Sequence, residues 1–254
     1  MFRKNITGKF KNLIGILILS VMIILLSVFT TSCIYIGATI GSGNVITEER
    51  DVSGFDSISI GSSMNLIIEQ TGSESLKIEA EDNIIPLVKT SVIGKELVIK
   101  LAPGIFFSVF SIKPINCYVN VKDLKGLKVS SSSSANCKEL TTDKLNINVS
   151  SSGRANLVVH ANELDADLSS SAVLKISGDA VKQNIKVSSS GNYEAENLLS
   201  KECTVRVSSS GSATVNVSDL LNVNISSSGQ VNYTGKPEIH QEISSSGSLN
   251  NITK

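Results

Sequence analysis

Apolar and polar residues alternate along the second half of the chain, and seven runs of three serines punctuate the alternation. Counted at the first serine, the runs begin at Ser130, Ser150, Ser169, Ser188, Ser208, Ser226 and Ser244, in steps of 20, 19, 19, 20, 18 and 18 residues. The residue before each run is always aliphatic: Val129, Val149, Leu168, Val187, Val207, Ile225 and Ile243. One position earlier stand Lys128, Asn148, Asp167, Lys186, Arg206, Asn224 and Glu242, all polar. One earlier again the apolar type returns, from Leu127 to Val223, with Gln241 the exception. Period-two alternation means a strand with one buried face, and repetition near 19 residues means a solenoid of stacked coils.

Beyond each triplet lies Gly153, Gly191, Gly211, Gly229 or Gly247, with Ser133 and Ala172 in the other two copies. Glycine at this place predicts a corner that needs positive φ. A second alternating arm follows. It has apolar columns from Ala135 to Leu249 and from Cys137 to Tyr233, and a polar column from Asn136 to Asn250. Each coil therefore reads as strand, serine corner, strand and a less regular return. No single coil encloses a core, but coils stacked about 4.8 Å apart turn each apolar column into a continuous row. The expected fold is all-β: a right-handed parallel β-helix of about seven coils of 18–20 residues, behind an N-terminal cap of mixed strands. Serine at all 21 triplet positions suits a tight corner, where its hydroxyl can reach nearby backbone.

The rest of the chain divides around that solenoid. Residues 1–33 open with Arg3, Lys4, Lys9 and Lys11, run through 17 uncharged apolar residues from Leu13 to Phe29, and end in Thr30-Thr31-Ser32-Cys33. Such a leader is an export signal. The small residues ahead of a cysteine resemble a bacterial lipoprotein signal, which implies cleavage before Cys33 and its acylation, for example with palmitate; an uncleaved apolar anchor is the alternative. Either way the expected location is the cell envelope, exported and held at a membrane. Residues 34–45 read as a tether or a first strand, and 46–125 as an N-terminal β region. Within that region Gly61-Ser62-Ser63 looks like a worn serine corner, Leu76 to Ala80 is an alternating strand, and Gly94-Lys95-Glu96 marks a hairpin. The phenylalanines of Ile105–Phe110 cap the core or form a contact surface. Residues 126–254 hold the repeats.

Charge narrows the function. The chain has 23 basic and 23 acidic residues, but the leader takes four of the basic ones and none of the acidic, so the remainder is mildly acidic. There is no basic stripe for nucleic acid. Cys117, Cys137 and Cys203 have no zinc or redox spacing, and Cys137 lies on an apolar column. His160 and His240 are far apart. No metal and no cofactor is expected.

Several segments resemble the auto-transporter adhesin head GIN domain family of bacterial envelope proteins. They are Arg50-Asp51-Val52-Ser53-Gly54-Phe55-Asp56-Ser57-Ile58-Ser59-Ile60, Met64-Asn65-Leu66-Ile67-Ile68-Glu69-Gln70, Leu97-Val98-Ile99 and the serine-glycine coils. The resemblance spans residues 46–250 and implies a β-helical, exported, non-catalytic module, with no established catalytic or ligand residues to transfer. The polar column Lys128, Asn148, Asp167, Lys186, Arg206, Asn224 and Glu242 is the candidate binding face, for a glycan or an envelope protein. Two alternatives stand beside it. A carbohydrate-active enzyme would need paired carboxylates, for which only Asp165 and Asp167 share a face; a purely structural envelope role needs no ligand. A monomer is expected, with an open C-terminal edge that a second copy could meet.

Overall fold

The computed structural model describes residues 38–104 and 109–253. Within them the alternating stretches form a parallel β-solenoid, in which equivalent positions of successive repeats pair. Five long strands, Ser134–Val149, Arg154–Leu168, Val173–Val187, Asn192–Val207 and Ser212–Ile225, each make most of a coil. The return expected to be irregular is strand as well. Two adjacent outward residues, such as Glu196-Asn197 and Lys201-Glu202, break the alternation and bend the coil while the backbone ladder continues. Among the described residues there is no α-helix, only a 3-10 turn at Ile85–Leu87.

Unequal repeat lengths are absorbed at these bends. The two 20-residue coils hold an extra residue there, which shifts the register between Cys137 and Leu140 and again opposite Lys175 and Gly178. The first 18-residue coil shifts register at both bends, between Ala195 and Leu199 and between Ser200 and Glu202, but along the arm before the serines the columns stay aligned, and Val129, Val149, Leu168, Val187, Val207 and Ile225 are all buried. Ile243, which ends the same column, is 41% exposed because no further coil covers it.

At the corners the structure overturns the expectation for glycine. The positive φ falls on serines. Ser131 and Ser132, Ser151 and Ser152, and Ser170 and Ser171 are left-handed in pairs, whereas in the later copies only Ser189, Ser209, Ser227 and Ser245 are. Each corner closes with a hydrogen bond from the residue after the triplet to the first serine carbonyl, for example Gly153 N to Ser150 O at 2.8 Å and Gly191 N to Ser188 O at 3.0 Å. Two left-handed central residues make a type I′ turn and one makes a type II′ turn. The peptide between the second and third serines therefore reverses midway along the stack. Ser152 N donates up to Ser170 O, while Ser210 N donates down to Ser189 O.

Glycine follows the triplet for a different reason, namely space. A Cβ on Gly153 would lie 2.6 Å from Val129 O, and one on Gly247 would lie 2.6 Å from Ile225 Cγ2. The corner glycines thus let one coil's aliphatic column approach the next coil's backbone.

The N-terminal region is built into the same sheet, out of sequence order. Ser57–Ile60 and Asn65–Gln70, either side of the Gly61-Ser62-Ser63 corner, pair in parallel with Gly126–Val129 and with the start of Ser134–Val149. That corner stacks on the Ser130 corner through Ser63 N to Ser131 O at 2.9 Å. Beneath it lie Glu96–Leu101 and Asn116–Val121. Antiparallel strands finish this end: Val88–Ile93 on Glu96–Leu101, joined by the expected hairpin, then Ser75–Glu81 on Asn116–Val121 and Val45–Arg50 on Ser75–Glu81. They cover strand edges that would otherwise invite another chain.

The stretch read as tether or first strand supplies Thr39–Ile40, paired in parallel with Val109–Phe110. Glu81 fastens this layer. Its buried carboxylate accepts from Gly43 N at 2.8 Å, Ser111 Oγ at 2.7 Å, Ile112 N at 2.9 Å and Lys113 N at 3.3 Å. Chiefly the Ser111 hydroxyl, working against burial and helped by the three amides, holds its pKa below the usual glutamate value. A carboxylate whose folded pKa is depressed stabilises above its unfolded pKa, and that stability is lost as pH falls through the folded value. Acidification below the usual glutamate range is therefore expected to free the 39–44 and 109–113 segments while the coils persist. Limited proteolysis at falling pH should cut there first in the native chain, and Glu81→Gln should be cut there at neutral pH too.

Candidate functional site

The alternation that buries the aliphatic column turns its polar neighbours outward on one face. Strand pairing sets Lys128 beside Asn148, Asn148 beside Asp167, Asp167 beside Lys186, Lys186 beside Arg206, Arg206 beside Asn224 and Asn224 beside Glu242. All seven candidate residues thus occupy a single column, and all are exposed. Two residues earlier on each strand runs a parallel column of Gly126, Asn146, Asp165, Asn184, Thr204, Asn222 and His240.

Between the columns lies a shallow trough of about 880 Å³, with Ile93, Lys95 and Glu96 of the hairpin standing at one end. A smaller depression that shares Arg206 continues past Asn224 to His240 and Glu242. The second column follows from the period-two rule once the first is known. The hairpin is legible in the sequence, but its place at the end of the trough is not, because that depends on the inverted stacking order of the N-terminal layers.

The charges are arranged unevenly. Lys128 Nζ lies 2.8 Å from Glu96 Oε1. Lys144 Nζ lies 2.9 Å from Asp165 and 3.0 Å from Glu163, which keeps the lysine's pKa above its ordinary value. Burial works to raise the pKa of Asp165, but Lys144 and the Asn184 amide at 2.9 Å outweigh it, and the carboxyl stays below its ordinary range. Among the described residues the side chains of Asp167, Lys186 and Arg206 form no ion pair and no hydrogen bond, although the charge of Lys186 also helps to lower the Asp165 pKa.

As an acid–base pair Asp165 and Asp167 are poorly arranged, since general acid catalysis by a carboxyl needs a raised pKa and that of Asp165 is lowered. What the face offers is a row of amide donors and acceptors between fixed charges. The serine rows contribute less than their number suggests. Only Ser188 and Ser244 among the first serines donate through their hydroxyls, at 3.4 and 3.5 Å to a carbonyl of the preceding coil, and the corner ladder is backbone.

The other chemically capable groups lie elsewhere. Cys117, Cys137 and Cys203 are free and buried, and burial pushes the Cys117 thiol up to about 12 and Cys203 higher still. Such thiols are inert fillers. His160 sits against Asp179 and His240 against Glu238, both on the surface. Cys33 lies outside the described residues, as do residues 105–108 of the phenylalanine loop; Phe110 at its end is partly exposed. No helix among the described residues is long and apolar enough to cross a membrane.

A family described as "Putative auto-transporter adhesin, head GIN domain" matches residues 54–237. A solved structure of a putative adhesin from Bacteroides fragilis superposes with a TM-score of 0.79 at 23% identity, over 84% of this chain and 100% of its own. A putative lipid binding protein from Parabacteroides distasonis gives 0.68 at 24% identity, over 84% and 99% of the two chains. A putative adhesin from Parabacteroides merdae gives 0.68 at 19%, over 84% and 98%. At these identities the likeness shows a shared fold. No curated protein matches the chain.

Proposed function

Because the chain belongs to the auto-transporter adhesin head GIN domain family, we propose that it is a non-catalytic binding module of the bacterial cell envelope. It is exported by its N-terminal leader, held at a membrane through lipidated Cys33, and acts as a monomer that meets a glycan or another envelope component through the ladder face. The observation that supports this reading most is the trough itself, in which Asn148, Asp167, Lys186 and Arg206 stand in register with their polar groups turned to the outside. A solenoid keeps such groups at fixed spacing, so a ligand loses little energy in ordering them. The depressed pKa of Asp165 speaks against the enzyme alternative.

The test uses membrane vesicles from cells making the full-length chain. The protein is expected to pellet with the vesicles, and the vesicles to be retained on cell-wall and cell-surface preparations. Fractionation with soluble proteins would overturn the anchor, and retention no better than that of vesicles lacking the protein would overturn the binding role.

A further inference from the structure

We propose that the trough takes an anionic glycan, a polyhydroxylated chain bearing carboxylates, laid across successive coils with its acidic groups on Lys186 and Arg206. This rests on the binding-module reading and adds the chemical class of the ligand.

Charge is the first reason. Of the cations lining the trough, Lys95, Lys125 and Lys128 are paired with Asp56, Asp123 and Glu96, and Asp165 is paired with Lys144, so among the described residues the unpaired charges of the lining are Lys186 and Arg206 against Asp167 alone, a net positive end. The chain beyond the leader has 19 basic and 23 acidic residues, so the Lys186–Arg206 end is opposite in sign to the protein that bears it. An anionic polymer is drawn to it and repelled by the remainder.

The distribution within the trough is the second reason. Lys125 and Lys128 already have carboxylate partners in Asp56, Asp123 and Glu96. Lys186 and Arg206 are direct neighbours across the strand pair and form no ion pair among the described residues. Two like charges placed opposite each other on adjacent strands repel. A carboxylate between them removes the repulsion and gains charge-assisted hydrogen bonds, with the guanidinium able to bind it in bidentate fashion.

The remaining lining groups select among anions. Asn146, Asn148 and Asn184 offer both donors and acceptors, and the exposed Asp167 offers acceptors only, which suits sugar hydroxyls. No aromatic side chain lines the trough. Nucleic acids without sequence preference are held by base stacking on aromatic rings, so a single strand would find the charge without the platform.

The full-length chain in detergent micelles is assayed against polygalacturonate, with neutral dextran and single-stranded DNA as comparators. Polygalacturonate is expected to bind, more weakly as salt rises, and Lys186→Gln with Arg206→Gln is expected to weaken it by about tenfold or more. Lys175→Gln, on another outward column, is expected to change nothing. Equal binding of dextran, tighter binding of DNA, or binding that the double substitution leaves unchanged would overturn this ligand class. If such a chain is nonetheless retained on cell-wall preparations, the binding-module reading stands without it; if retention fails as well, both fall.

Discussion

Replacing Gly178 by alanine is expected to destabilise the solenoid by about 3 kcal/mol or more. Two costs combine. Gly178 has φ +107°, a conformation that L side chains rarely adopt, and holding a non-glycine residue in such a region costs about 1–3 kcal/mol. An added Cβ would also lie 2.2 Å from Val159 O on the coil beneath, so the ladder must open, and overpacking of that kind costs roughly another 1–3 kcal/mol. Gly178 stands opposite the extra residue of the following 20-residue coil, where the register shifts, and its conformation lets the two coils stay in contact across that mismatch. Gly94 separates the two costs. Its φ is +63° but nothing lies within 4 Å of an added Cβ, so Gly94→Ala should lose only about 1 kcal/mol. Urea denaturation of the two variants decides the matter: equal losses would mean that the contact with Val159 contributes nothing.

Gly178 also marks a feature that alternation and repetition do not reveal. The columns that build the fold were legible because burial and alternation coincide at every copy, from Leu127 and Val129 to Val223 and Ile225, and the same rule placed Lys128 to Glu242 on the opposite side. Copies of one repeat vote for each assignment, which a single strand cannot do. A local rule assigns the glycine after the triplet to backbone freedom, yet its cause is non-local: Val129 O and Ile225 Cγ2 belong to the coil beneath. Gly178 falls within one coil only, in a column where Val159 and Leu198 stand on either side, so no repeat drew notice to it.

The trough divides in the same way. Its floor follows from alternation, whereas its hairpin end requires that Glu96–Leu101 lie beneath Ser57–Ile60 and that Gly126–Val129 return above it. Stacking order that departs from chain order leaves no periodic trace. The serine corner of Ser62 and Ser63 was visible, but its partner 68 residues onward was not.

Tyr193 and Gln183 provide a second large effect, with a sign that a contact list alone would miss. Both are fully buried, and the Tyr193 hydroxyl donates across the interior to Gln183 Oε1 at 2.6 Å, joining one coil to the next. Gln183 stands in a column otherwise filled by Leu145, Leu164, Cys203 and Leu221, and its Nε2 has no partner. Tyr193→Phe would leave the amide oxygen unpaired as well, at a cost of about 2 kcal/mol, and Gln183→Leu would strand the tyrosine hydroxyl at a cost of roughly 1 kcal/mol after the orphaned nitrogen is removed. The double substitution removes every unmet group and restores the aliphatic column, so it should be at least as stable as the native chain. A double-mutant cycle in urea then gives a coupling of about 3 kcal/mol, opposite in sign to simple accumulation of damage. Additive losses in the double variant would mean that the bond contributes only packing volume. Recovery would show that the polar pair is tolerated in this interior because each member satisfies the other, and that a leucine ladder is the more stable filling of the same space.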